Sequence, residues 1–533
     1  MKLLNHLLGL SSAPRPNHDG FEPLESRQLL AADLSVALGP VTNPFKGNTD
    51  RVQAQVIVTN VGDETFKAPR NAVVELYLSA DSTFDASTDV LFASLKLSSL
   101  SRGASKKLKL DVPEPKLLNP ASGPSLPAGN YNVIARISGL DSNSANDIAV
   151  GSGSVAVDYN FGLRDRAKVS LALPLADGTT ITLRINDRGT GTVTSDNGHI
   201  IVTLLSGGTR SELVISSNAK GRTTSTIDGL IISDVVKRVI ADKITVNGSV
   251  VINGGLASIS LGGLTNGSIS YAATNFGFFS FQRNTFSVGE VRDSIISTDV
   301  PLAELHITRW IDTNGGGDRL VAPSIGAITS LGDFQPSVTI SSRTPKDPYS
   351  IITANIKGRI SGSWDLAFGV RRFQAGPITN DFKATFGGNI DTFNVNGNFE
   401  GLVAAPNINH LFVTGDLRGA SILVGTTLGN DVLLGGTGNA ADSFTAGRLG
   451  DFTVRGSVIN SLIASGLNPV DNIYLNGNDT LANNSSIGRI QIYKNLVNSH
   501  FAAASLPSTV RILYNSRVST ANNPSFLTIQ AGG

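Results

Sequence analysis

Residues 388–425 contain one short unit written twice. The first copy reads GNIDTFNVNGNFEGLVAAP (388–406) and the second NINHLFVTGDLRGASILVG (407–425). Phe393 and Val395 return as Leu411 and Val413, and Gly397 and Phe399 return as Gly415 and Leu417, all at an offset of 18. Such a period is too short for a domain and too long for a hairpin, so it suggests one turn of a solenoid. Apolar residues alternate as in strands, and Gly-Asn or Gly-Asp pairs break them where the chain must turn. The pattern predicts a parallel β-helix.

The same grammar, with drift, runs through KRVIADKITVNGSVVING (237–254), SIGAITSLGDF (324–334), VRRFQAGPITNDFKATF (370–386), GRLGDFTVRGSVINSLIASG (447–466) and IGRIQIYKNLVNSHFAA (487–503). With strands about 4.8 Å apart, roughly a dozen turns would make a rod of about 55–65 Å. Inward Ile, Val, Leu and Phe would stack on their counterparts from neighbouring turns.

Composition agrees with an all-β chain of several domains. Of 533 residues 56 are Gly and only 16% are charged, which is not the Glu-, Lys- and Ala-dense mixture of long helices. Forty-three Lys plus Arg balance 42 Asp plus Glu, so no broad field steers the chain to nucleic acid or an anionic membrane. With no cysteine, disulfides, thiolate metal sites and cysteine nucleophiles are excluded. No apolar stretch approaches the roughly 18 residues of a membrane-spanning helix.

Residues 33–157 read as a β-sandwich. Alternating segments occur at 33–38, 52–62, 72–79, 89–100, 105–112, 129–137 and 152–157. Seven strands with frequent turn signals form an immunoglobulin-like pattern. Residues 158–236 open with Arg164-Asp165-Arg166, which suits an exposed linker. Strands at 179–186, 191–196, 199–206 and 211–217 then suggest the N-terminal cap and first turns of the solenoid, because an open end would expose pairing edges. A separate small β-domain is the alternative. The expected order is 1–32 export segment, 33–157 sandwich, 158–236 linker and cap, and 237–533 β-helix.

Two stretches resemble known families. FEPLESRQLLAA (21–32) resembles the LEPR-XLL segment found near the start of many large bacterial surface proteins. Leu24, Glu25, Arg27, Leu29 and Leu30 match, and Ser26 stands where that pattern has Pro. The resemblance implies export with cleavage near Ala31-Ala32; an amphipathic N-terminal helix is the alternative. The 33–157 region is similar to the CARDB module of bacterial cell-surface proteins. The matching residues are Asp33-Leu34-Ser35-Val36, Asn60-Val61-Gly62, Glu75-Leu76-Tyr77-Leu78-Ser79, Asp81 with Asp89, and Pro127-Ala128-Gly129-Asn130-Tyr131. Asp141, Asn143, Asn146 and Asp147 loosely occupy the place of that family's closing Asp and paired Asn.

Chemistry-bearing motifs are sparse. Outward positions of the clearest turns hold Asp391, Asn394, Asn396, Asn409, Thr414 and Asp416, with Asp391 in register with Asn409 and Asp416 facing Asn398. Carboxylates therefore do not stack into an acid/base pair. Arg371-Arg372 reads as a solvated corner that could otherwise bind an acidic sugar. The six histidines (6, 18, 199, 306, 410 and 500) lack metal-ligand spacing. GNDVLLGGTGNAADSF (429–444) resembles an RTX calcium nonapeptide, but Ala440 occupies the second Asp position and Asp442 is displaced, so a Gly-rich hairpin without tight calcium binding is expected. Asp81, Asp85 and Asp89 are expected to form a solvated turn.

These observations lead to an exported, non-enzymatic surface or matrix protein with an adhesive or structural role. Catalytic, cofactor and metal residues are expected to be none, and the partner a surface polysaccharide or another envelope protein, not nucleic acid. The alternative is a carbohydrate-active β-helix enzyme with an accessory module.

Overall fold

The computed structural model describes residues 31–529 apart from 119, 142, 197, 222, 273–283, 477, 508–509 and 513–525. The LEPR-XLL-like motif at 21–30, His6 and His18 lie outside the described residues. The fold is all-β, and no α-helix occurs among the described residues.

The N-terminal part consists of two antiparallel sheets over one core. Leu34–Leu38, Thr49–Asn60, Ser105–Pro113 and the short Phe45–Lys46 form one sheet. Val73–Ser79, Val90–Lys96, Gly129–Ile137 and Ile148–Val157 form the other. Alternation decides which side chains face inward: Val52, Val56 and Val58 meet Val74, Leu76, Val133 and Ala135 in the shared core. Asn60 pins the turn after its strand. It is fully buried, donates Nδ2 to the Leu100 carbonyl at 3.0 Å, and accepts the Gly62 N–H at 3.1 Å. Departures from the sequence expectation are local: Phe45–Lys46 adds an eighth strand, the strand in 89–100 stops at Lys96, and the last strand begins at Ile148 rather than at 152.

Arg164-Asp165-Arg166 is not a linker. Asn160–Arg164 and Ala167–Val169 pair as a hairpin whose turn holds Asp165 and Arg166 at φ 47° and 69°. Further antiparallel pairs join Thr190–Asp196 to His199–Ser206 and Thr180–Asn186 to Gly208–Ser217. The pairing then changes direction. His199–Ser206 is parallel to Ser225–Ile232, and Gly208–Ser217 is parallel to Val236–Ile252. Parallel order thus begins upstream of residue 237.

From there the chain builds one large parallel sheet, and most strands pair with the next but one. One inward row runs Leu213, Val239, Ile259, Phe286, Leu305, Ile328, Ala354, Phe373, Phe393, Leu411, Phe452, Ile490. A second runs Ile296, Leu320, Val338, Trp364, Ala384, Val403, Ile422, Ile463, Phe501. A third links Trp310, Phe334, Ile360, Ile378, Phe399, Leu417, Val458 and Leu496. All these side chains are buried. Fully burying each large one contributes about 1.5–3 kcal/mol. Val395 pairs with Val413 and Phe393 with Leu411, as the repeat implied. Gly397 sits at a corner with φ 142°, against Pro377, where a side chain would be strained.

The period lengthens where the chain leaves the ladder. Leu411 pairs next with Phe452, across an excursion in which Thr426–Thr427 pairs antiparallel with Ser443–Phe444. The expected Gly-rich hairpin is therefore present. A second excursion pairs Leu467–Asn468 with Thr480–Leu481. Both have an apolar reason. The outward face of neighbouring strands carries Ala404, Leu423, Ala464 and Ala502, and Leu428, Val432 and Leu467 cover it.

Candidate functional site

A cleft of about 380 Å³ opens where the sandwich meets the antiparallel strands, lined by Asp50, Glu114, Lys116, Asp158, Asn160 and Leu171 among others. The strand Ser105–Pro113 delivers Glu114 and Lys116 to it, and the 160–169 hairpin delivers Arg164. Lys116 Nζ lies 2.5 Å from Glu114 Oε1 and 3.8 Å from Asp158 Oδ1. Arg164 Nη1 lies 2.8 Å from Asp50 Oδ2 and 3.5 Å from Asp158 Oδ2. Asn43 donates Nδ2 to the other Glu114 oxygen at 3.2 Å. Burial pushes the Glu114 carboxyl up, while the Lys116 ammonium draws it back. A buried carboxyl with a raised pKa can act as a proton donor. Here both its oxygens are held by neighbours, so the network also ties the two parts of the chain together. The charges of this site lie far apart in the chain, so no linear motif marks it.

On the parallel sheet, the outward polar residues bond one another across strands. Asn407 Nδ2 donates to Asn389 Oδ1 at 2.9 Å, Asn409 Nδ2 to Asp391 Oδ1 at 3.2 Å, and Thr414 Oγ1 to Asn396 Oδ1 at 3.2 Å. Asp416 N donates to Asn398 Oδ1 at 3.0 Å, which matches the register read from the repeat. Asp391 also accepts the Tyr349 hydroxyl at 2.5 Å. Arg371 pairs with Asp347 and stacks over Tyr349 at 5.4 Å, so it is engaged rather than merely solvated. Arg372 is exposed and shares a row with Thr392, His410, Asp451 and Arg489. Three histidines have carboxylate partners: His199 with Asp228, His306 with Glu304 and His410 with Asp451.

A carboxylate group that the sequence reading overlooked gathers Asp293, Asp312 and Asp318, with ligand oxygens within 4.8 Å of one another. The loop DTNGGGD (312–318) spaces two of them, and the third, Asp293, directly follows the Thr285–Arg292 strand. Most of their oxygens already have donors. Asp293 accepts the Thr313 N–H at 2.7 Å and hydroxyl at 2.6 Å, and Asp312 accepts the Gly315 N–H at 2.7 Å. Asp318 accepts the Trp310 indole N–H at 2.7 Å. Burial, then the charges of Asp312 and Asp293, push the Asp318 carboxyl up to about 6.

In the RTX-like segment, Asp442 ties the loop by accepting the Gly435 N–H at 2.6 Å and the Gly429 N–H at 3.2 Å. Asp431 accepts the Leu433 N–H at 3.1 Å within its own turn. In the sandwich, Asp81 and Asp85 cap their own turns, whereas Asp89 is buried and accepts the Asp85 N–H at 2.8 Å. The solvated-turn reading holds for Asp85 and not for Asp89.

No family model matches the chain, and a search of curated proteins finds no match. Among solved structures it is similar to the CARDB domain of a Pyrococcus furiosus protein, crystallised in complex with di-metal ions. The identity is 17%, over 24% of this chain and 94% of that one, with a TM-score of 0.15. No helix among the described residues is long and apolar enough to cross a membrane.

Proposed function

We propose that this chain is an exported, non-enzymatic surface or matrix protein. In this reading the parallel region is a β-helix stalk, residues 158–236 cap it, and residues 33–157 form an immunoglobulin-like, CARDB-like module that meets a polysaccharide or envelope protein. The observation that carries the reading is the use of outward polar groups. Asn389, Asp391, Asn396 and Asn398 are consumed by Asn407, Asn409, Thr414 and Asp416 on the next strand, so they act as mortar between rungs. A catalytic face would instead leave acids free to converge on a substrate.

The second reading, a carbohydrate-active enzyme, draws on the junction cleft with Glu114 beside Lys116. Incubation with a panel of acidic and neutral polysaccharides, scored for both binding and cleavage, separates the two. Binding without cleavage, unchanged by Glu114→Gln, supports the structural role; cleavage lost in that variant supports the enzyme. Fractionation of the native host with N-terminal sequencing tests export. The mature chain should begin near Ala32 or Asp33 in the envelope or medium, and intact cytosolic protein starting at Met1 would contradict it.

A further inference from the structure

At the junction cleft an amine and a carboxamide share one carboxyl group, that of Glu114, whose side chain is fully buried. Its Oε1 receives Lys116 Nζ at 2.5 Å, and its Oε2 receives Asn43 Nδ2 at 3.2 Å. The same two nitrogens donate to carbonyls two residues apart in the chain, Lys116 to Asp158 and Asn43 to Ala156 at 3.1 Å. Both nitrogens therefore lie along one short stretch of backbone, bridged by a single carboxyl group. The buried Tyr159 ring lies 5.5 Å from Lys116 Nζ, and the lysine side chain is only 18% exposed.

Hydrogen bonding alone does not explain Asn43. Its Oδ1 is buried with no hydrogen-bond partner among the described residues, a cost that a purely structural tie would avoid. Burial pushes the Glu114 carboxyl up; Lys116 and Asn43 draw it back, and the Asp50 charge adds to the rise. In such a site the proton between Lys116 and Glu114 can rest on the carboxyl group, which leaves the lysine a neutral amine. A desolvated neutral lysine is a nucleophile, and the carboxamide beside it is an acyl acceptor.

We propose that Lys116 and Asn43 join in an intramolecular amide bond, with Glu114 as the catalytic residue. Lys116 Nζ attacks Asn43 Cγ; the Nζ–Cγ bond forms and the Cγ–Nδ2 bond breaks. Starting from the neutral pair, Glu114 gives its proton to Nδ2 through Oε2 and takes one from Nζ through Oε1. Ammonia leaves, the carboxyl group is restored, and no co-reactant is consumed. The flexible four-carbon stem of Lys116 supplies the movement that closes the gap. Asp158 Oδ1 is also 3.8 Å from Nζ, but Asp158 faces Arg164 as well, and a carboxylate anion is a poor acyl acceptor. Five of the eight sandwich strands lie between Asn43 and Lys116, so the bond closes most of the module into one covalent loop. A chain without cysteine cannot obtain that constraint from a disulfide. The reaction needs no outside substrate, so it holds under either function.

The test is the intact mass of the purified full chain after denaturation, together with a protease map of the segments around residues 43 and 116. The parent should be lighter by one ammonia than the sequence from its measured N-terminus, and one branched peptide should join Asn43 to Lys116. Glu114→Gln keeps the shape of the side chain but cannot relay the proton, so it should retain the full mass. Lys116→Arg keeps the positive charge but offers no nucleophilic amine, so it too should retain the full mass. It should also melt several degrees lower, because its unfolded chain regains the freedom of an open loop. The branched peptide is read in the parent whether or not either variant folds. A parent of full mass would overturn the proposal. So would an ammonia loss that maps to an Asn-Gly pair such as Asn314-Gly315, or a loss of water that maps to Asp158.

Discussion

Trp310 donates its indole N–H to Asp318 Oδ2 at 2.7 Å, with both residues buried in the parallel region. Trp364, further along the same aromatic series, has a buried Nε1 with no partner among the described residues. Phe334 lies between them, 5.7 Å from Trp310 and 5.9 Å from Trp364, edge-on to each. The two indoles are alike in packing and differ in whether their donor is answered.

That difference gives a paired prediction. Trp310→Phe leaves Asp318 buried without its donor and should destabilise by about 3 kcal/mol or more. Trp364→Phe loses volume but also deletes an unanswered donor, so its cost should be smaller, about 1–2 kcal/mol. Denaturant melts of both variants check the order; equal losses would mean that the hydrogen bond contributes little.

Asp318 should make stability depend on pH. Its folded pKa, raised to about 6 from an ordinary 3.8, means that the folded chain holds its proton more tightly than the unfolded chain. This contribution is fully present below pH 3.8 and is lost as pH rises through 6. Asp318→Asn removes the titration, so relative to the parent it should gain on the order of 2 kcal/mol between pH 4 and pH 7.5. Chelator-containing melts across that range measure the difference, and a constant difference would contradict the assignment.

Val395 and Val413 pair on successive strands, both buried. Replacing Val413 with Asp places an unpaired charge between apolar rungs and should destabilise by about 3–5 kcal/mol. A variant that melts like the parent would mean the register is wrong.

The two aspartates of the RTX-like excursion should behave differently. Asp442→Ala unties the Gly429 and Gly435 N–H groups and loosens the cover over Leu423, at about 1–2 kcal/mol. Asp431→Ala removes only a bond inside an exposed turn and should stay within about 0.5 kcal/mol. Limited proteolysis near residue 433 should accelerate in the first variant alone.

Local order was legible where one short period decides the pairing. Phe393 with Leu411 could be read directly because nothing intervenes in 18 residues. The next rung, Leu411 with Phe452, was harder, because the excursion between them serves an outward apolar row that alternation alone does not reveal. The functional residues were less legible still. Arg164 looks like linker charge until the fold brings it to Asp50, and Asp293 meets Asp318 only because two strand ends adjoin. Asn43 carries no motif of its own, and only the fold sets it on the same carboxyl group as Lys116.

A stalk built from the parallel ladder would make the whole molecule elongated. Twelve successive pairings from Leu213 to Val510, at about 4.8 Å each, give roughly 58 Å of ladder before the cap and sandwich are added. A compact chain of 533 residues would have a radius of gyration of about 24 Å. Small-angle X-ray scattering of the purified protein should give about 30 Å or more, with the rod-like decay of an elongated particle, against that compact reference. A value near 24 Å with a symmetric distance distribution would contradict the stalk.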